Sequence, residues 1–209
     1  GDALGRAGRT LRRGPGRGVT EANVGRSTVG YPGGLAARYR WGGSGSAEAV
    51  FGLSESSGDL TDHAELAGGD PARMCRAELR VEGPLGTWTA RFASPVFDEP
   101  RGLMWDTEAQ LVVKYGFRVY GLAGRTGELR WSHLSGTPIV AVLGSPRLDH
   151  VIVQSEVETV AIDGAGEVRW RVAHGDVIAA AELTAGVLTL QTYGGDVAAF
   201  DPTSGQPLR

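Results

Sequence analysis

A single spacing constrains this chain more than its composition does. Gly127, Gly166 and Gly205 fall 39 residues apart, twice. Trp131 and Trp170, Gly136 and Gly175, and Ile139 and Ile178 keep the same interval. Three segments superpose around these glycines: Val119 to Trp131, Thr159 to Trp170, and Val197 to Arg209. An interval near 40 is too long for a helical or strand period. It marks a supersecondary unit that buries its apolar face by stacking on the next copy.

Inside each unit the chain reads as short strands. Runs such as Gln110-Leu111-Val112-Val113-Lys114, Val151-Ile152-Val153-Gln154 and Val187-Leu188-Thr189-Leu190 are rich in β-branched residues and are split by Gly, Pro, Asp and Ser. Ala179-Ala180-Ala181-Glu182 has helical propensity, but its place in the repeat predicts a strand. The clearest unit predicts strands over 138–143, 149–155, 157–162 and 167–172, the last two joined by a tight glycine turn. Four short strands per unit of about 40 residues define a β-propeller blade. The expected fold is therefore all-β, an array of four-stranded antiparallel blades, three of them clear and four or five at most. Trp131 and Trp170 are expected to lie buried between blades. Two fainter copies precede them, Val50 to Leu60 and Val81 to Trp88. Gly86 to Gly127 spans 41 residues, but Gly58 to Gly86 spans only 28, too short for a blade, so one copy is degraded or one match is false.

The stretches Gly121 to Trp131, Ala161 to Trp170 and Ala199 to Arg209 resemble the PQQ-like (pyrroloquinoline-quinone-like) β-propeller repeat, whose pattern is roughly A-x-D-x-x-T-G-x-x-x-W. Ala123 replaces the Asp in the first copy, the second copy is one residue shorter, and Arg209 stands where the Trp belongs in the third. The resemblance implies the propeller fold and, for function, anything from a dehydrogenase to an assembly scaffold. The quinoprotein dehydrogenases with this repeat use a calcium site and a vicinal disulfide. Here Cys75 is the only cysteine and Asn23 the only asparagine, so no cofactor is expected.

Charge divides the chain. Residues 1–35 carry six arginines against Asp2 and Glu21, a net of +4, within a total of -3. Residues 1–34 hold ten glycines and almost no apolar periodicity, which predicts a disordered Gly/Arg-rich arm before a propeller domain over 35–209, clearest at 100–209. Such an arm offers weak, nonspecific nucleic-acid binding. No run of about 18 apolar residues predicts a membrane helix. No basic start leads into an apolar stretch of signal-peptide length, so the expected location is cytoplasmic.

No catalytic set converges in the sequence. His63, His133, His150 and His174 lack metal-ligand spacing, and no G-x-S-x-G elbow accompanies Asp149-His150. No metal site is expected. Glu156 and Glu158, with Glu182, suggest a solvated acidic face, and Cys75 a surface or half-buried structural thiol. The expected function is a noncatalytic binding or scaffold module that presents rim loops to a protein or small ligand. The candidate rim residues are His133, Asp149, His150, His174, Asp176 and Tyr193, and the structural repeat residues are Gly127, Trp131, Gly166, Trp170 and Gly205. The alternative is a small hydrolase or metal-assisted enzyme built on the rim His and Asp groups.

Residues 35–209 amount to about 4.5 repeats, and the last copy stops as its outer strand begins. An unfinished blade leaves backbone groups unpaired. Two outcomes are expected: a small four- or five-blade ring closed by an N-terminal strand, Leu35 to Trp41 or Thr87 to Phe92, or an open arc that is part of a longer parent protein or of an oligomer.

Overall fold

Two central strands are buried along their whole length because both of their faces are covered. Gln110–Tyr115 and His150–Ser155 are buried at every position. The computed structural model describes residues 23–52 and 58–209. The strands are β1 (Gly25–Tyr31), β2 (Leu35–Gly42), β3 (Asp59–Asp62), β4 (Cys75–Gly83), β5 (Gly86–Ser94), β6 (Arg101–Trp105), β7 (Gln110–Tyr115) and β8 (Arg118–Ala123). They continue with β9 (Leu129–Leu134), β10 (Ile139–Leu143), β11 (His150–Ser155), β12 (Glu158–Asp163), β13 (Val168–Ala173), β14 (Ile178–Thr184), β15 (Val187–Thr192) and β16 (Val197–Phe200). Among the described residues one short α-helix, α1 (Ala47–Val50), follows β2, and short 3-10 turns lie at Ala64–Ala67, Pro71–Arg73 and Asp106–Glu108.

The strands form four sheets. The second (β6-β7-β8-β9) and third (β10-β11-β12-β13) are four-stranded antiparallel meanders, and the fourth has β14-β15-β16. Strands β10 to β13 lie within two residues of the expected bounds, and the Ala-rich segment 178–183 is a strand. The first sheet has the order β1-β2-β4-β5-β3. It is a four-stranded blade with residues 43–74 inserted between its second and third strands, and β3 from that insertion pairs parallel to the outer edge of β5. The insertion explains the short spacing: Val50 to Leu60 is no repeat copy, because it starts in α1 and ends in β3, whereas Val81 to Trp88 is the true one.

Residues 1–22 of the expected arm lie outside the described residues. The arm's boundary at 34 is too late, because Gly25–Tyr31 forms β1, paired with β2 along its whole length. Tyr31 and Tyr39 hydroxyls meet across that pair at 3.0 Å.

The repeated glycines have two reasons to be glycine. Gly127, Gly166 and Gly205 have φ of 74°, 88° and 70°, which disfavours any Cβ. Each also lies against the Trp of the preceding sheet: a Cβ would sit 2.4 Å from Trp88, 2.5 Å from Trp131 and 2.6 Å from Trp170. In the first and third turns the glycine N–H donates to the carbonyl four residues back, Ala123 and Asp201, both at 2.8 Å. The shorter second copy closes on Asp163 O, three residues back, at 2.9 Å. Asp163 Oδ1 caps Ala165 N and Glu167 N, and Asp201 Oδ1 caps Thr203 N. Ala123 cannot cap, and Thr126 Oγ1 accepts from Glu128 N instead.

Polar groups lock these turns to the sheet before them. Trp88 Nε1 donates to Gly124 O at 3.0 Å. Gln110 Nε2 donates to Gly164 O at 2.8 Å, while Gln110 Oε1 accepts from Trp131 Nε1 at 2.7 Å. At the next step His150 Nε2 donates to Pro202 O at 2.8 Å. Three apolar clusters fill the three gaps between sheets. The first centres on Tyr39, Leu79, Phe92 and Tyr120, the second on Val112, Trp131, Val153 and Ile162, and the third on Ile152, Ile178, Leu188 and Leu190. Trp131 is buried, and Trp170 is half-buried against the third cluster.

The array does not close. Leu35 to Trp41 and Thr87 to Phe92 both lie inside the first sheet, so neither completes the last blade. Among the described residues no strand of the first sheet pairs with the fourth, which leaves an open arc. Beyond β16 the chain turns back along the fourth sheet: Pro207 bridges Phe200, and Leu208 N donates to Ala199 O at 2.8 Å.

Candidate rim binding surface

Antiparallel meanders send alternate hairpins to opposite ends of the arc. The connections at 106–109, 124–128, 144–149, 164–167 and 201–205 lie at one end. Those at 95–100, 116–117, 135–138, 156–157, 174–177 and 193–196 lie at the other, which we call the belt end. There, backbone bonds tie the connections from 116–117 onward each to the next: Ser135 N to Phe117 O, Glu156 N to Pro138 O, Ile178 N to Glu156 O and Tyr193 N to Val177 O, at 2.7–3.2 Å, while 95–100 is joined to 116–117 through the Asp98 side chain. The belt holds surface loops in fixed relative positions, as a recognition surface requires.

The six candidate residues divide between the ends. His133, His174, Asp176 and Tyr193 lie at the belt end, and Asp149 and His150 at the opposite one. His150 is buried, with Nδ1 2.8 Å from Asp149 Oδ1 and Nε2 on Pro202 O. Asp149 is exposed, and the His150 hydrogen bond, helped by Arg169, holds its carboxyl below the usual range. A ring with both nitrogens engaged has none left to take a proton from a nucleophile. The pair is thus an inter-sheet lock, which removes the geometric basis for a hydrolase there.

At the belt end His174 Nε2 lies 2.6 Å from Thr159 Oγ1. Thr159 spends its own proton on Gln154 Oε1, so His174 carries its proton on Nε2. Its ring packs edge-on against Phe200. Burial lowers the pKa of His174, and burial together with Arg171 lowers that of His133. Glu158 acts on both rings and pairs with Arg171 at 3.3 Å. Asp176 caps Val177 N at 2.7 Å. Tyr193 is 75% exposed.

The expected acidic face separates: Glu158 starts β12, Glu156 lies in the turn before it, and Glu182 contacts the Thr184 hydroxyl. Cys75, expected at or near the surface, is a buried free thiol whose pKa burial pushes up. Among the described residues no three His, Cys, Asp or Glu side chains converge as a metal site. Among them, too, no helix is long and apolar enough to cross a membrane.

The sequence reading missed the apolar part of this surface. Phe97 (66% exposed), Leu134 (61%), Val157 and Val197 join Tyr193 at the belt end. They are spread over four connections, with only Tyr193 and Val197 sharing one, so no local apolar run announces them.

The comparisons with known proteins agree with this architecture. A family profile described as "Outer membrane protein assembly factor BamB" matches residues 115–208. Among solved structures, BamB from Moraxella catarrhalis superposes with a TM-score of 0.50 at 14% identity, over 91% of this chain and 66% of that one. The WD40 domain of Neurospora crassa Pan2 gives 0.46 at 18% identity, over 65% of this chain and 45% of that one. The computationally designed Ika4 protein gives 0.46 at 11% identity, over 70% and 98%. No curated protein sequence matches. This chain therefore spans less than two thirds of two of these structures. The glycine turns, the tryptophan contacts and the profile match together identify residues 115–208 as PQQ-like β-propeller repeats.

Proposed function

We propose that this chain is a noncatalytic scaffold that docks a protein partner on its belt end. The observation that carries this reading is the set of exposed apolar side chains at the belt end: Phe97 in the 95–100 connection, Leu134 beside 135–138, Val157 in 156–157 and Tyr193 in 193–196. Exposed large apolar groups gathered on one side of a rigid surface mark interaction sites more often than chance exposure does. His133, His174 and Asp176 supply a polar rim beside them. The name of the matching family, an assembly factor, fits a protein-binding role, and an expected cytoplasmic setting completes the proposal.

Site-specific photocrosslinking in cells tests it. A photoreactive residue at Leu134 or Tyr193 is expected to give a discrete protein adduct, and one at Leu85, exposed at the opposite end, none. Adducts of equal yield from both ends, or from neither, would remove the belt end as the docking surface. Fractionation of the same cells tests the compartment.

A further inference from the structure

The junction between the first and second sheets holds an unusual concentration of unsatisfied polar atoms. Tyr115 Oη, Tyr120 Oη, Arg118 Nε and His63 Nε2 are all buried without a hydrogen-bond partner. Buried polar groups are almost always paired, and an orphan costs about 1–3 kcal/mol. At the corresponding positions of the third sheet Ser155 Oγ donates to Glu158 O at 3.2 Å, the Glu158 carboxylate pairs with Arg171 at 3.3 Å, and Val160 has no polar group to satisfy. Three of the four, all but His63, line one cavity.

A cavity of about 290 Å³ lies there, lined by Tyr115, Arg118, Tyr120 and the apolar Pro95, Phe117 and Leu134. Its polar residues share one face of the second sheet, because Tyr115 pairs with Arg118 and Arg118 precedes Tyr120 by two on β8. Arg118 makes no ion pair among the described residues. Its partner there is the neutral Ser132 hydroxyl, at 2.9 Å. The nearby Asp98 is already spent on Lys114, at 2.8 Å, and on Gly116 N. The loop that carries Pro95 is thereby pinned to the β7–β8 hairpin, and the cavity wall is fixed.

We propose that this cavity binds a small organic acid with an apolar body. The carboxylate would accept from Arg118 Nε and from the Tyr115 and Tyr120 hydroxyls, and the body would pack on Pro95, Phe117 and Leu134. One cation suits a monoanion; a phosphate dianion would need more. The volume is at the small end of ligand cavities, about 300–1,000 Å³, which points to a molecule of benzoate size. Burial raises both tyrosine pKa values, that of Tyr120 to about 12, so both hydroxyls keep the protons they would donate. Burial lowers the pKa of His63, so the ring stacked behind Tyr120 adds no second charge near neutral pH. This inference does not rest on the docking proposal, and either can fail alone.

The test is an amide NMR titration of the full chain with sodium benzoate, with benzyl alcohol as its neutral counterpart. Benzoate is expected to saturate, shifting the amides of Ser94, Tyr115, Phe117, Arg118 and Leu134, and to bind about tenfold tighter than benzyl alcohol. Tyr120→Phe and Tyr115→Phe remove orphan hydroxyls, so each is expected to leave the free protein as stable as before, or more so, while weakening benzoate about threefold. No cavity shifts up to about 20 mM benzoate, equal affinity for benzyl alcohol, or wild-type benzoate affinity in both Phe variants would each overturn the proposal.

Discussion

Trp170 Nε1 is buried without a partner, although Trp131 Nε1, one repeat earlier, donates to Gln110 Oε1. The difference lies in the residue that opens the second strand of each sheet, Gln110 in one and His150 in the other. Both reach forward to a turn carbonyl, but only the glutamine also offers an acceptor backward. His150→Gln is therefore expected to keep the bond to Pro202 O and satisfy Trp170, stabilising the protein by about 1 kcal/mol in urea denaturation. A loss of stability would show that the glutamine does not reach both partners. Histidines also set a pH response. His63, His133 and His174 are held below their ordinary 6.5, so the folded state binds fewer protons than the unfolded chain. Their contribution is complete above 6.5 and is lost as pH falls through it toward the lower folded values. The urea midpoint is expected to drop between pH 7.5 and 5, and His174→Gln to flatten part of that drop. Self-comparison of the sequence finds repeated glycines because they are identical. It is blind to Gln110 and His150, which do one job with different side chains.

The strands differ in how legible they were, and the reason is continuity of the repeat. From β10 to β13 the period is unbroken, and the expected bounds hold within two residues. In the first sheet the 43–74 insertion separates two hydrogen-bonded neighbours, β2 and β4, so a period-based reading finds a false copy at 50–60. The belt end was hidden for a related reason. Which hairpins share an end depends on strand direction, and Asp149-His150 sits one hairpin away from the end that carries His174. At this scale Trp131 joins two sheets, being held by Gln110 in its own and packed against Gly166 of the next. Trp131→Ala is expected to destabilise the protein by about 3–5 kcal/mol, read from its denaturation midpoint. Trp170→Ala, at a half-buried site without the indole bond, is expected to cost less. Equal losses would mean that the two junctions are energetically alike.

The whole molecule is an arc of sheets whose apolar clusters lie only in the gaps between neighbours. Stability of such an array adds up junction by junction. The second and third sheets are covered on both faces. The fourth is covered on one, and β14 and β16 are largely exposed. Hydrogen exchange by mass spectrometry is therefore expected to show the slowest amides in β7 and β11 and the fastest strand amides in β14 to β16. Uniform protection across all four sheets would point to a single cooperative unit.

The hydrogen-bonded belt has a consequence for change over time. Its links are main-chain groups, from Ser135 N to Phe117 O through Tyr193 N to Val177 O, so the side chains on its connections carry none of these links. Leu134 can be replaced without altering where Tyr193 stands. Each connection can drift, lengthen or be re-selected separately, and a new specificity can be assembled one hairpin at a time on a frame that registers none of the edits.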